Sequence, residues 1–296
     1  MHSEEPLVSV LIPAFNRVDL IEETVQSVWA QTYSRVELIV VDDGSTDGTY
    51  EKLQQLSDQG NLTLLTHQGR ANKGQSAALN LALRHASGRY ISILDSDDLF
   101  LPQKLEKQVH YLENHPDVGL VYGLGEAVDS QGNWLYDLLS ADHTEPNDPA
   151  AVLLDCYFLL PQNALVRKQV FDQAGLFEES FRAAQDHDML IRLAELTRFG
   201  FMPEKFFQYR RHDDSISATG AERRWTTGFE ILQRAASRYP YKKSIIRRRK
   251  AVLNFRLSQV YWQQKNHIKA LLCVLKSGLL DPRRGLRVLL GMEKVS

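Results

Sequence analysis

Val36-Glu37-Leu38-Ile39-Val40-Val41-Asp42-Asp43-Gly44-Ser45 runs from β-branched apolar residues straight into two carboxylates and a turn. Tyr90-Ile91-Ser92-Ile93-Leu94-Asp95-Ser96-Asp97-Asp98 repeats that design. Short apolar runs of this kind read as strands covered on both faces. The acids then sit where a strand ends and the chain turns outward. In an open α/β sheet, ligands bind beyond the carboxyl ends of the strands. Carboxylates gathered there, with no Cys or His beside them, suit a hard divalent cation and a phosphorylated ligand.

The surrounding sequence supplies the rest of such a sheet. Val8–Pro13 is a further apolar run, and 18–31 carries apolar residues at 18, 20, 21, 25, 28 and 29, a helical spacing. Helices are expected at 46–57 and 74–86, and a strand at 62–66, so strand and helix alternate from 8 to 94. Such alternation implies right-handed crossovers and an α/β fold whose sheet is mostly parallel and flanked by helices. Beyond Pro102 the pattern predicts a helix over 103–114 and a strand at 118–122. A hairpin turning at 130–133 and a loop over 140–150 follow. Further on, 163–166 and 206–210 are expected to be extended and 185–196 helical.

Composition sets the outer limits. The chain has 296 residues, 43% of them apolar, enough for one large core or two moderate ones. Its two cysteines, Cys156 and Cys273, lie far apart and read as small buried hydrophobes in a reducing compartment. The acidic N-terminus lacks the layout of a secretory signal, and no run approaches the roughly 18 apolar residues of a membrane span. The expectation is a cytoplasmic protein. Charge divides sharply: residues 1–220 hold 17 Lys and Arg against 33 Asp and Glu, whereas 221–296 hold 18 against 4. Two domains are therefore expected, 1–220 and a basic all-α appendage at 221–296, with helices at 222–238, 244–264, 267–279 and 283–291. Within it, Tyr261 to Pro282 resembles one tetratricopeptide-like hairpin. A basic module either docks on the acidic body or meets an anionic partner. Peripheral contact with the inner face of a membrane is the partner considered. Nucleic acid is excluded, since no binding module accompanies the charge.

Several blocks in order resemble the family 2 glycosyltransferases of GT-A fold, in their non-processive bacterial form: Val8 to Asn16, Val41 to Gly48, Asn72 to Asn80, Leu94 to Asp98, Gln185 to Arg192 and Tyr209 to His212. The resemblance covers roughly residues 7–218. It implies a nucleotide-sugar donor, UDP-linked, with Pro13, Phe15 and Asn16 beside the nucleobase and Asp43 accepting from the uracil imide. The 72–80 segment, with Asn72, Gly74 and Asn80, would lie over the nucleotide. Asp95 and Asp97 form the D-x-D pair: Asp97 would hold Mn²⁺ or Mg²⁺, and Asp95 the ribose or a metal-bound water. His212 is a third metal candidate, with Arg210 or Arg211 supporting phosphate charge. Asp186 matches the catalytic base.

Two departures stand out. The family usually places Glu before that base, whereas here it is Gln185. Arg224-Trp225 copies the end of a processivity motif, but Ala221 breaks it. The implied reaction is transfer of one sugar per encounter to a hydroxyl acceptor, with inversion, in polysaccharide or glycoconjugate synthesis. The alternatives are a two-carboxylate glycosidase and a degenerate, glycosyltransferase-like scaffold. Simpler roles are open to several of these residues: Asp42 and Asp43 as turn residues, Asp98 as a cap, Asp188 as a partner of Arg192, and His67 and His187 as structural.

Overall fold

The computed structural model describes residues 5–60, 62–155, 161–211 and 220–284. The chain forms two compact units, Met1–Asn147 with Tyr157–Asp213, and Asp148–Cys156 with Asp214–Ser296.

In chain order the first unit opens with β1 (Val8–Ala14), α1 (Ile21–Trp29), β2 (Val36–Asp42), α2 (Thr49–Asp58), β3 (Thr63–Thr66), α3 (Gln75–His85) and β4 (Tyr90–Ile93). Every residue of β1 is buried, which is why its sequence is apolar at every position but Ser9. It lies between β2 and β4 and runs parallel to both, and β3 adds in parallel beyond β2. Parallel pairing puts the carboxyl ends of β1, β2 and β4 on one edge. Residues 14–17, 42–48 and 94–98 therefore leave the sheet side by side.

The chain continues through β5 (Leu99–Phe100), α4 (Lys104–Asn114), β6 (Val118–Val128) and β7 (Trp134–Asp137). The helix α5 (Pro149–Leu154) intervenes before β8 (Ala164–Arg167), α6 (Lys168–Ala174), α7 (Gln185–Leu196) and β9 (Arg198–Arg210). The sheet order is β3-β2-β1-β4-β8-β6-β9-β5, with β7 paired to β6. Strand β8 is antiparallel to both β4 and β6, so the parallel half passes into a mixed one. Strand β6 extends to Val128, past its expected end at 122, because glycines interrupt the apolar pattern without interrupting the strand. A Cβ at Gly125 would stand 1.9 Å from the Phe207 ring and one at Gly123 2.4 Å from Phe206. Glycine is there to admit those rings, and the ladder with β9 shifts register at the same place. Asp148 caps α5 and Pro149 opens it, a helix start set within residues that read as loop.

In the second unit, α8 (Ala221–Arg238), α9 (Lys243–Gln263) and α10 (His267–Leu280) follow the expected helical spacing. The expected helix 283–291 lies outside the described residues beyond 284. A Cβ at Gly228 would meet Leu253 at 2.6 Å, so α8 and α9 approach closely there. Ser277 Oγ donates to the Ala251 carbonyl at 2.8 Å, tying α10 to α9, and Arg249 Nη1 donates to the Leu154 carbonyl of α5 at 2.6 Å. On α10, Ala270 is buried, while Ile268, Leu271, Leu272, Leu275 and Leu279 are each more than half exposed. Among the described residues, no helix is long and apolar enough to cross a membrane.

One core residue in the first unit is unexpected. Lys104 is fully buried, its Nζ donating to Ser92 Oγ (2.9 Å), Gln108 Oε1 (2.8 Å) and the Ala164 carbonyl (3.2 Å). These three uncharged acceptors join α4 to β4 and β8. Burial pushes the ammonium well below its usual value. The unfolded chain then holds a proton that the folded chain sheds more readily, so stability rises with pH between the depressed value and the ordinary lysine value near 10.4. Urea unfolding as the pH is raised toward 10 should show that rise, with a slope of at most about 1.4 kcal/mol per pH unit, and Lys104→Met should flatten it.

Candidate functional site: an acidic cluster at the strand ends

The turn after β2 is built by its own side chains. Asp42 Oδ2 accepts from the Gly44 and Ser45 amides at 3.1 and 3.2 Å, closing an Asx turn. Gly44 has φ +80°, and a Cβ there would lie 2.6 Å from the Arg70 carbonyl oxygen, so this position admits only glycine without displacement. Asp47, one residue before the N-cap Gly48, accepts from the Thr49 amide at 2.9 Å. Asn16, itself at φ +50°, receives the Thr46 amide on Oδ1 at 2.9 Å, and its own amide donates to Ser45 Oγ at 3.0 Å. The loops after β1 and β2 are thus bonded to each other. Between residues 44–46 and 69–70 runs an open groove of about 490 Å³.

Asp43 is buried and clasps the next loop. Its Oδ1 accepts from the Lys73 amide and its Oδ2 from the Gly74 amide, both at 2.7 Å, with His67 Nε2 3.5 Å from Oδ1. An imide contact at Asp43 would have to use a remaining lone pair of one of these oxygens. Gly74 is tight on its other side too: a Cβ would stand 2.3 Å from Arg182 Nη1, which donates to the Lys73 carbonyl at 2.9 Å.

The acidic cluster follows β4. Asp95 Oδ1 accepts from Gln75 Nε2 at 2.9 Å and Oδ2 from Gln162 Nε2 at 2.5 Å. Gln162 Nε2 also lies 2.7 Å from Asp98 Oδ2, and Asp98 Oδ1 accepts from the Arg210 amide at 2.9 Å. Asp98 is therefore a buried tie to β9 rather than a cap. Asp97 is partly exposed and takes Arg17 Nε at 3.0 Å. Burial, then the charges of Asp97 and of Asp186, push the Asp95 carboxyl up to about 7. Burial with Asp97 and Asp95 raises Asp98 well above the carboxylate range. Asp186 sits in the first turn of α7, half-buried, accepting its neighbour's amide at 2.8 Å. Gln185 Nε2 donates to Gln75 Oε1 at 2.7 Å, linking that turn to Asp95 through one side chain.

The expected residues divide accordingly. Asp95, Asp97 and Asp186 share one electrostatic neighbourhood, and Asp43 reaches it through Gly74 and the adjacent Gln75. Pro13 is buried in β1, Phe15 is 44% exposed beside Asn16, and Asn72 is exposed. Asn80 does not lie over a ligand. It is 1% exposed, with Nδ2 on the Phe177 carbonyl and Glu179, and Oδ1 on the Phe177 amide. Of the two arginines named for phosphate charge, Arg210 commits Nη2 to Glu23 at 2.6 Å, whereas Arg211 is exposed. His212 lies outside the described residues. Asp188 pairs with Arg192 at 2.9 Å, and His187 is buried. Sequence reading missed Arg17, Gln75 and Gln162. Arg17 adjoins a recognised block and Gln75 lies within one; Gln162 carries no local signal.

Among the described residues no group of three His, Cys, Asp or Glu side chains could hold a metal ion. The chemistry nevertheless fits a divalent cation held by one or two carboxylates and completed by a ligand's phosphates. Four carboxylates gather here, Asp95 is raised by burial and by the charges of its neighbours, and Arg17 pairs with Asp97. Such a charge imbalance is relieved by a bound cation.

Comparison with known proteins agrees with this architecture. Residues 9–175 match Glycosyl transferase family 2. An uncharacterized glycosyltransferase of Rickettsia typhi is 30% identical over 225 residues, which cover 72% of this chain and 67% of that protein. Other relatives are longer; in one from Rickettsia bellii the matched part is 31% of the length. Among solved structures, S. aureus TarS in complex with UDP-GlcNAc superposes with TM-score 0.71 at 17% identity, over 94% of this chain and 82% of that one. The mannosyltransferase PcManGT of Pyrobaculum calidifontis, in complex with GDP-Man and Mn²⁺, gives 0.64 at 21%, over 97% and 81%. With the strand-end acids, the parallel β3-β2-β1-β4 half-sheet and the family match all on one stretch of chain, this protein belongs to glycosyl transferase family 2 and has the GT-A fold.

Proposed function

We propose that the chain transfers a single sugar from a UDP-sugar to a hydroxyl acceptor, with inversion, and that Asp186 is the base. The observation that carries this reading is the hydrogen-bonded link from Gln185, beside Asp186, through Gln75 to Asp95 at 2.7 and 2.9 Å, which supports a single site for the base candidate and the donor-side acids. The Asp186 carboxylate takes the acceptor's hydroxyl proton as that oxygen bonds to the anomeric carbon. The bond from that carbon to the diphosphate breaks on the opposite face, its electron pair leaving with the diphosphate. Asp95 is held by two amides to meet the ribose, and Phe15 offers an exposed ring to the nucleobase. Asp97, with His212 outside the described residues, would hold Mn²⁺ or Mg²⁺, which when bound supplies positive charge opposite the departing diphosphate. Support comes from the neighbours, whose ligands are UDP-GlcNAc, and GDP-Man with Mn²⁺.

Asp186→Asn should lower UDP release from the accepted donor by about 100- to 10,000-fold while leaving UDP binding within a few-fold of wild type by calorimetry. Wild-type turnover in that variant removes Asp186 as base. Asp97→Asn should abolish any strengthening of UDP binding by Mn²⁺. A chain that neither binds UDP nor releases it from any sugar nucleotide is instead a glycosyltransferase-like scaffold.

The helical unit adds a location to this reading: contact with an anionic lipid surface, where a lipid-linked acceptor would lie. Ile268, Leu271, Leu272, Leu275 and Leu279 form one exposed stripe on α10, in a region carrying 18 basic against 4 acidic residues. Apolar stripe and basic charge together match an anionic bilayer interface. Co-sedimentation should show binding to phosphatidylglycerol vesicles, little to phosphatidylcholine, and loss of about tenfold for Leu271→Asp/Leu275→Asp. Negligible binding to both vesicles, or a dimer that covers the stripe, ends this assignment.

A further inference from the structure

The residue before Asp186 is glutamine where the family usually has glutamate, and the structure gives that glutamine a directional task. Gln185 Nε2 donates to Gln75 Oε1 at 2.7 Å, and Gln75 Nε2 donates to Asp95 Oδ1 at 2.9 Å. On the far side of Asp95, Gln162 Nε2 stands between Asp95 Oδ2 at 2.5 Å and Asp98 Oδ2 at 2.7 Å. Which end of a side-chain amide is oxygen follows from the partners it must satisfy. A carboxylate only accepts, so Gln75 must turn its NH₂ to Asp95. That leaves its oxygen facing position 185, which must then donate. Glutamine can donate; ionised glutamate cannot. A glutamate at position 185 would either confront the Gln75 oxygen with a second acceptor or force the Gln75 amide to flip. A flip would aim an oxygen at Asp95 and free that acid on one side. The same replacement would also add a fifth carboxylate beside Asp95, Asp97, Asp98 and Asp186.

We propose that Gln75 and Gln185 are positioning residues, a one-way hydrogen-bond relay from the first turn of α7 to Asp95, and that position 185 of this chain requires a donor, so that Gln185→Glu impairs the site. The inference rests on the proposed function only where it concerns nucleotide binding. The relay orients Asp95, on the donor side, from the turn that carries Asp186, the base. Gln185 is then a matched partner of Gln75 rather than a sign of lost activity.

Reversing the polarity of the chain tests the relay without any ligand. Asparagine at position 95 can donate to the Gln75 oxygen, which turns the Gln75 NH₂ toward position 185, where glutamate is then the better acceptor. At about pH 8, Gln185→Glu should lower the thermal midpoint of the ligand-free protein by about 3 °C. In the Asp95→Asn background, the same substitution should leave it unchanged or raise it. An equal loss in both backgrounds overturns the relay. Calorimetry with UDP and Mn²⁺ adds the functional arm. Gln185→Glu and Gln75→Leu should each weaken binding by about tenfold, and the double variant should be no weaker than Gln75→Leu alone. Wild-type affinity in Gln185→Glu, or losses that multiply to about 100-fold, overturns the proposal. If the wild-type protein binds no UDP, the proposed function fails, and the thermal comparison still decides the relay.

Discussion

The first unit is organised around like charges held close together. Asp98 is buried, and its neighbours Asp95, Asp97 and Asp186 are only partly exposed. In a low-dielectric setting such a group persists only where hydrogen bonds and cations offset the desolvation of each member. The structure supplies these from widely separated segments: Gln75 at the start of α3, Gln162 just before β8, the Arg210 amide at the end of β9, and Arg17 after β1. Those four donors come from elements spread over most of the unit. The strand crossovers that place them are therefore prerequisites of the site, and the sheet order explains why one edge receives them all.

Much of this was legible beforehand, for a physical reason. Strands buried on both faces leave long apolar runs, and the acids that end them are conspicuous against such runs, so Asp43, Asp95 and Asp97 stood out as a pattern. Asp186 came only from the family resemblance of the 185–192 block. What escaped reading were residues whose importance lies in a partner far along the chain. Nothing local distinguishes Gln162 from a surface glutamine, and Gln75 acquires its meaning only from Asp95 and Gln185. Asn80, and Arg210 of the Arg210-or-Arg211 alternative, point the other way. Asn80 and Arg210 sit inside recognisable blocks, yet their side chains bond to the Phe177 backbone and to Glu23. A motif fixes residue type more firmly than it fixes which way the side chain turns. The second half of β6 was hidden because Gly123 and Gly125 are chosen for the rings they admit, not for strand propensity.

Glycines and polar clasps also set how the loops around the site are held. Asp43 and Arg182 take the 73–74 backbone from two sides, and Gly44 allows the 70–72 backbone to approach the Asp42 turn. These contacts join the loop after β2 to the segment that opens α3, where Gln75 begins its contact with Asp95. Geometry at the acids is in this way inherited from turns that never touch them.

Lys104 carries a different consequence. Its amine is sealed between α4, β4 and β8, whereas most other lysines of the chain lie at or near the surface. An acylating reagent applied to the folded protein would tag those and pass over this one. Label would reach residue 104 only when the helix lifts from the sheet, making it an internal reporter of how often the core opens.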